Sequence, residues 1–188
     1  MTKSPLKKQF VIKGINFIKA ESILDNHSFD LSKIAYIDDE TNKMLNRSII
    51  EENDILFSIA GTLGRFAFID SSVIPANTNQ AVAIIRANEK LIKPISLYSY
   101  FVGGWHTEFY TKNIQQAVQA NLSLTTIKNL PIILPSKVEM QKYSDLIAPI
   151  FKQIWHNYLE NRKLAEVRDN LLPKLMSGEI DVTQSPSG

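Results

Sequence analysis

The chain has 188 residues, 44% hydrophobic and 21% charged, with 21 basic against 19 acidic side chains. That is ample for one domain with its own core, and it excludes a disordered tail, a histone-like polycation and an acidic solvating chain. The lack of cysteine excludes disulfide scaffolds, thiolate zinc sites and cysteine nucleophiles, and with no long apolar run and no signal core the expectation is a soluble, cytoplasmic protein.

Residues 1–54 carry 8 basic and 9 acidic side chains and read as irregular, with the acidic run Asp38, Asp39 and Glu40 in a loop. From Asp54 the pattern sharpens. Ile55, Phe57 and Ile59 alternate with Leu56, Ser58 and Ala60, which predicts a mostly buried strand. Gly61-Thr62-Leu63-Gly64 is a turn, and residues 65–70 form a second strand with Phe66 and Phe68 on one face. The two make a hairpin. Residues 80–86 (QAVAIIR) add a third strand, and the whole favours a largely antiparallel sheet. Pro94 opens the apolar stretch ISLYSYFV, closed by Gly103-Gly104, which fits a short helix. Residues 105–112 suggest another. Residues 113–123 are rich in Gln and Asn, and residues 130–134 make an edge strand or extended segment.

The last element differs in kind. Residues 138–176 contain no glycine and two prolines, Pro149 and Pro173. Tyr143, Ile147, Ile150, Ile154 and Tyr158 recur at intervals of three and four, and Leu164, Val167, Leu171 and Leu175 resume the pattern. This predicts one long amphipathic helix, kinked near Pro149, ending or bending near Pro173, and on the order of 50 Å long; the competing reading is a helix folded back in two pieces at a proline. Part of it is expected to project, and its apolar stripe needs a partner. The fold class is therefore α+β: a mixed, largely antiparallel β domain with short helices, then one long C-terminal helix.

Signs of catalysis are missing. There is no phosphate-cradling glycine loop and no GxSxG. His27, His106 and His156 lack paired-ligand spacing and read as packing or surface residues, not metal ligands. Glu51 and Glu52 are adjacent and point apart, so they read as solvated. A hydrolase with a dispersed site is disfavoured for want of any constellation. Three polar clusters stand out instead: residues 61–65 (GTLGR), 76–80 (ANTNQ) and 112–121 (KNIQQAVQAN). Asn and Gln can pair with adenine, Arg and Lys with guanine, and all can reach phosphates. The competing reading is that these are turns using Asn and Gly for backbone reasons. The middle of the chain, residues 55–136, has 6 basic and 3 acidic side chains, which permits a nucleic-acid surface without demanding one.

The order NDILFSIAGTLGRFAFID, NTNQAVAIIR, NLSLTTIKNLPIILPS and a closing NLLPKLMSGEIDV resembles the specificity (HsdS-type) subunit of type I restriction-modification enzymes, from about Gly14 to Val182. In that family a subunit holds two target-recognition domains, each followed by a long helix, and the two helices pack antiparallel as a spacer. Each domain reads one half of a split DNA target, and the subunit does no chemistry. The resemblance implies a recognition domain over residues 1–136, a spacer or dimerisation helix over 137–177 and a tail over 178–188. It also implies methyltransferase subunits as partners, restriction subunits indirectly, and no cofactor in this chain, since S-adenosylmethionine, Mg and ATP would be bound by partner subunits. Three departures stand out. There is one recognition unit instead of two. The start is short of the strand and turn that the family usually places first. The usual Pro-Pro-Leu-x-Glu-Gln helix entry is here Pro135-Ser136-Lys137-Val138-Glu139-Met140-Gln141.

On this reading, base contacts are expected from Arg65, Asn77, Asn79, Gln80, Lys112, Gln115, Gln116 and Gln119, and phosphate contacts from Lys43 and Arg47. The stripe Ile147, Ile150, Ile154, Tyr158, Leu164, Val167, Leu171 and Leu175 is expected to pack on a second copy or a partner. The alternative from another class is a protein-interaction module that docks methyltransferase subunits without reading DNA. Salt dependence separates the two, because phosphate contacts weaken steeply with salt and apolar docking does not.

Overall fold

The computed structural model describes residues 10–109, 111 and 122–180. The chain forms two compact units, Met1–Ser144 and Asp145–Gly188.

The first unit is built on two sheets. Strands β1 (Phe10–Val11), β2 (Ile15–Ile18), β3 (Ala35–Ile37), β4 (Ile49–Ile50) and β7 (Ala76–Thr78) make one sheet in the order β1-β3-β2-β7-β4. Strands β5 (Ile55–Ser58), β6 (Phe66–Phe68) and β8 (Val82–Ile85) make the other, with β5 central. Pairing is antiparallel except for β2 with β7. The expected hairpin is present as β5–β6, with Phe57 opposite Phe66, and the third expected strand is β8.

Alternation along β5 decides how the layers stack. Leu56 joins Ala67 and Val82 against Ile18, Ile50 and Ala76 of the larger sheet, forming the main core. Phe57 and Phe66 face the other way, onto helix α2 (Pro94–Val102), where the Phe101 ring lies 5.7 Å from each. Pro94 opens α2 and Gly103 follows its last residue, as the sequence predicts. Residues 130–134 form no strand. The Pro131 carbonyl accepts a 2.7 Å hydrogen bond from the Tyr100 hydroxyl. The second helix expected over 105–112 lies partly outside the described residues.

The first 54 residues are more ordered than the sequence suggested. Four strands of two to four residues lie there, paired with segments far along the chain and so without a local hairpin signal. The acidic run, expected as a loop, is the start of helix α1 (Asp39–Met44). The Asp38 carboxylate accepts from the Thr41 amide at 2.8 Å, which holds its pKa below the usual range. Asp39 and Glu40 occupy the first turn, where negative charge offsets the helix dipole. The run is a helix start.

Helix α3 spans Leu124–Lys128 and helix α4 spans Lys137–Met176. The first unit runs past the boundary at residue 136 expected from the sequence. Met140 and Ser144, on the first turns of α4, are buried in it, and the Ser144 hydroxyl meets that of Ser96 at 2.8 Å.

The second unit consists of the rest of α4, with both Pro149 and Pro173 inside the helix. It ends just beyond Pro173, where Gly178 adopts φ +74 and the Glu179 amide bonds back to the Lys174 carbonyl. A left-handed residue just past the helix is the common glycine stop. Ile150, Ile154, Leu164, Val167, Leu171 and Leu175 are exposed along the unit, and Ile147 and Tyr158 are half-buried.

Candidate nucleic-acid interface

Two of the polar clusters meet at the end of β5; the third, residues 112–121, lies outside the described residues. Ile59 follows β5 directly, and its amide and that of Ala60 both donate to the Ala81 carbonyl, at 2.9 and 3.3 Å. That pins the Asn79–Gln80 turn against the base of the hairpin loop that runs from Gly61 to Arg65. The Ile59 carbonyl accepts from the Leu122 amide at 2.9 Å, so Leu122 is held at the same point. Lys112, Gln115, Gln116 and Gln119 themselves lie outside the described residues.

The hairpin loop is closed by backbone bonds from Gly64 to the Ser58 carbonyl (3.0 Å) and from Ser58 to the Arg65 carbonyl (2.8 Å). Gly61 and Gly64 have φ of +78 and +80, a conformation that only glycine adopts without strain. Arg65 follows with a forked grip on Asp25, Nε to Oδ1 at 2.6 Å and Nη2 to Oδ2 at 2.8 Å, and Nη1 also donates to the Ile23 carbonyl at 3.2 Å. Asp25 is 82% exposed. The Asp25 end of the pair is thus open to water, while the Arg65 side chain is 28% exposed.

The ANTNQ cluster divides. Asn77 is fully buried. Its amide nitrogen donates to the Asn42 side chain at 2.7 Å and to the Leu45 carbonyl at 3.2 Å, while its Oδ1 accepts from the Thr78 amide. Asn77 is therefore removed from the base-reading set: it is buried, and both amide hydrogens and the Oδ1 are engaged inside the protein. Thr78 is likewise spent, donating to the Ile18 carbonyl at 2.6 Å. Asn79 is half-buried and its Oδ1 accepts from the Ala81 amide at 3.0 Å, an Asx turn whose amide nitrogen is left over. Gln80 is exposed.

What Asn77 does instead is brace α1. By holding Asn42 and Leu45 it fixes the segment that carries Lys43 and Arg47, both exposed and without an ion pair among the described residues. Composition could not separate a reading amide from a bracing one. The useful signal is position, because Asn77 sits inside a short strand flanked by Ala76 and Thr78.

Two histidines distant in sequence come together behind this surface. The His27 ring stacks on Phe66 at 4.0 Å, and His106 lies 5.5 Å from the same ring and 5.0 Å from Phe101. Among the described residues no group of three or more His, Asp or Glu side chains could hold a metal ion. Burial lowers the His27 pKa and pushes that of His106 down to about 4 from an ordinary 6.5, with His27 adding to the effect on His106. Both are neutral near pH 7. The unfolded chain takes up protons below 6.5 that the folded unit refuses, so stability is full above 6.5 and lost as pH falls towards 4. A urea midpoint that drops between pH 7 and 5, and that does so less in His106→Phe, is the expected result.

An apolar cleft of about 590 Å³ lies elsewhere in the first unit, lined by Ile92, Tyr100, Trp105, Ile133 and Tyr143 among others. Trp105 is 73% exposed. Nothing in the sequence pattern pointed to it. No helix among the described residues is long and apolar enough to cross a membrane.

Comparison with known proteins gives a consistent family. The family model described as the type I restriction modification DNA specificity domain matches residues 1–169. The chain is 28% identical over 182 residues to the type I restriction enzyme HindI specificity subunit of Haemophilus influenzae, covering 95% of this chain and 38% of that protein. It is 27% identical over 177 residues to the EcoBI specificity subunit of Escherichia coli, covering 89% and 36%. The chain thus spans well under half the length of these relatives. Among solved structures, the HsdS subunit from Thermoanaerobacter tengcongensis superposes with a TM-score of 0.54 at 16% identity, over 93% of this chain and 45% of that one. That likeness supports the fold alone.

Proposed function

The chain belongs to the type I restriction-modification DNA specificity family, and from that premise we propose that it is a non-catalytic recognition subunit that reads one half of a split DNA target. The observation that carries this is the convergence of the hairpin loop, the Asn79–Gln80 turn and the start of the Leu122 segment on Ile59 and Ala60. Loops held by a rigid sheet are where base contacts are usually made. Arg65, Asn79 and Gln80, with Lys112, Gln115, Gln116 and Gln119, supply base readout, and Lys43 and Arg47 supply phosphate contacts. Asn77 positions the latter two.

The helix stripe packs on a second copy of the chain, which gives a two-fold dimer with two equal recognition units reading inverted half-sites across a gap set by the helix pair. The same helices position methyltransferase subunits and, through them, restriction subunits in the cytoplasm. S-adenosylmethionine, Mg and ATP belong to those partners.

Equilibrium titration with duplex DNA at several salt concentrations tests the assignment. Lys43→Glu with Arg47→Glu should weaken all sequences alike and reduce the salt slope by about 2, roughly one for each phosphate no longer neutralised. Arg65→Ala should instead relax the preference at one base, at about 1–3 kcal/mol. Binding whose salt slope is unchanged by the first variant, or whose sequence preference is unchanged by Ala at Arg65, Asn79 and Gln119 together, contradicts the assignment.

A further inference from the structure

From Ile147 to Leu175, positions at alternating intervals of three and four residues form one continuous seam along α4. All but three are Ile or Leu. The exceptions are Asn157, Asn161 and Arg168, and all three are exposed. A heptad seam of this kind buries itself in a second helix. The two asparagines stand in the middle of it, where a buried amide is costly unless it is paired.

We infer that Asn157 and Asn161 form a polar layer that locks the register of an antiparallel pair made with a second copy of this chain. This rests on the dimer reading above. The seam is self-complementary in a single antiparallel register. With the two-fold axis midway between Asn157 and Asn161, Asn157 of each copy faces Asn161 of the other, twice over. Ile154 then faces Leu164, Ile147 faces Leu171, and Ile150 packs on the aliphatic stem of Arg168, whose head reaches water. The Asn157 Oδ1 already accepts from Gln153 at 2.8 Å, which leaves its amide nitrogen to donate across the seam. Other registers lose this match. A slip of one heptad puts Asn161 against Ile150 in one direction and against Leu164 in the other. A parallel pair stacks Arg168 on its own copy, placing like charges in the seam. A single polar seam residue is a known way to fix register at some cost in stability.

The consequence is a fixed spacing. A one-heptad slip moves one helix about 10 Å along the other, or about three base-pair steps of a duplex. A homodimer without the asparagines would bind targets of more than one gap length. With them, one gap is selected.

The chain has no cysteine, so engineered pairs report register cleanly in the full-length protein. Ile154→Cys mixed with Leu164→Cys should form an inter-chain disulfide on oxidation, while Ile154→Cys alone should not, since the two copies of residue 154 lie about 15 Å apart. Ile154→Cys with Leu171→Cys should stay at background in the parent and rise at least tenfold when Asn157→Ile and Asn161→Ile are added, because the slipped register then opens. Equal 154–171 linkage in the parent, or no rise on replacing the asparagines, overturns the register lock while leaving the dimer intact. A parent chain that sediments as a monomer at high concentration overturns the dimer reading and the lock with it.

Discussion

Arg86→Met should lower the stability of the recognition unit by about 3 kcal/mol, read as a shift in the urea midpoint. Asp54 is fully buried, and its carboxylate is met by Arg86 Nε at 2.7 Å and Nη2 at 2.8 Å, with one further bond from the Glu51 amide at 2.7 Å. Arg86 also reaches Glu51 at 2.7 Å, and these partners, the bond to Asp54 first, hold its pKa above the ordinary value. Removing the guanidinium leaves a buried carboxylate with a single backbone donor. The loss falls at the low end for a broken buried pair because Arg86 is half-exposed and the Glu51 amide remains. Arg86→Lys keeps the charge but not the fork, and should lose less. Asp54→Leu with Arg86→Met removes the stranded charge and should regain part of the stability lost by Arg86→Met alone. If Arg86→Met is neutral, the pair is not a fastening of β5 to β8.

Ile154→Asp with Leu164→Asp should leave the chain monomeric. In the proposed register each faces the other across the two-fold axis, so the double variant places carboxylates opposite one another in two layers. Four apolar side chains lose their burial, at roughly 1.5 kcal/mol or more each, which weakens the dimer by about four orders of magnitude. Both positions lie in the second unit and are exposed there, so the urea midpoint of the recognition unit should not move. Sedimentation checks the first expectation and denaturation the second.

The elements that can be read from residues alone are those with a local signal. The β5–β6 hairpin with its Gly-containing link, α2 with its proline start and glycine stop, and α4 with its long period are of this kind. Strands β1 to β4 escape because each is held by partners far along the chain, as β2 is by β7. Helix α1 hides behind its charge: an acidic triplet looks like a solvated loop until Asp38 is seen to cap the Thr41 amide. Pro149 lies inside α4, which continues past it as the one long helix expected. The site was legible as composition but not as roles. Arg65 is found, but its partner Asp25 is forty residues away and invisible in sequence. Asn77 has the right side chain for reading adenine and spends it inside the protein, and only burial distinguishes it from Gln80. The pairing of His27 with His106 around Phe66 depends wholly on the tertiary fold.

Selection from randomised duplex DNA, carried out with the full chain bound to its methyltransferase subunit, tests the central claim most directly. Enrichment of an inverted repeat with two identical halves and one fixed gap is the expected result. Enrichment of no sequence, with the two proteins still associated, would contradict it and leave the chain a docking module that does not read DNA.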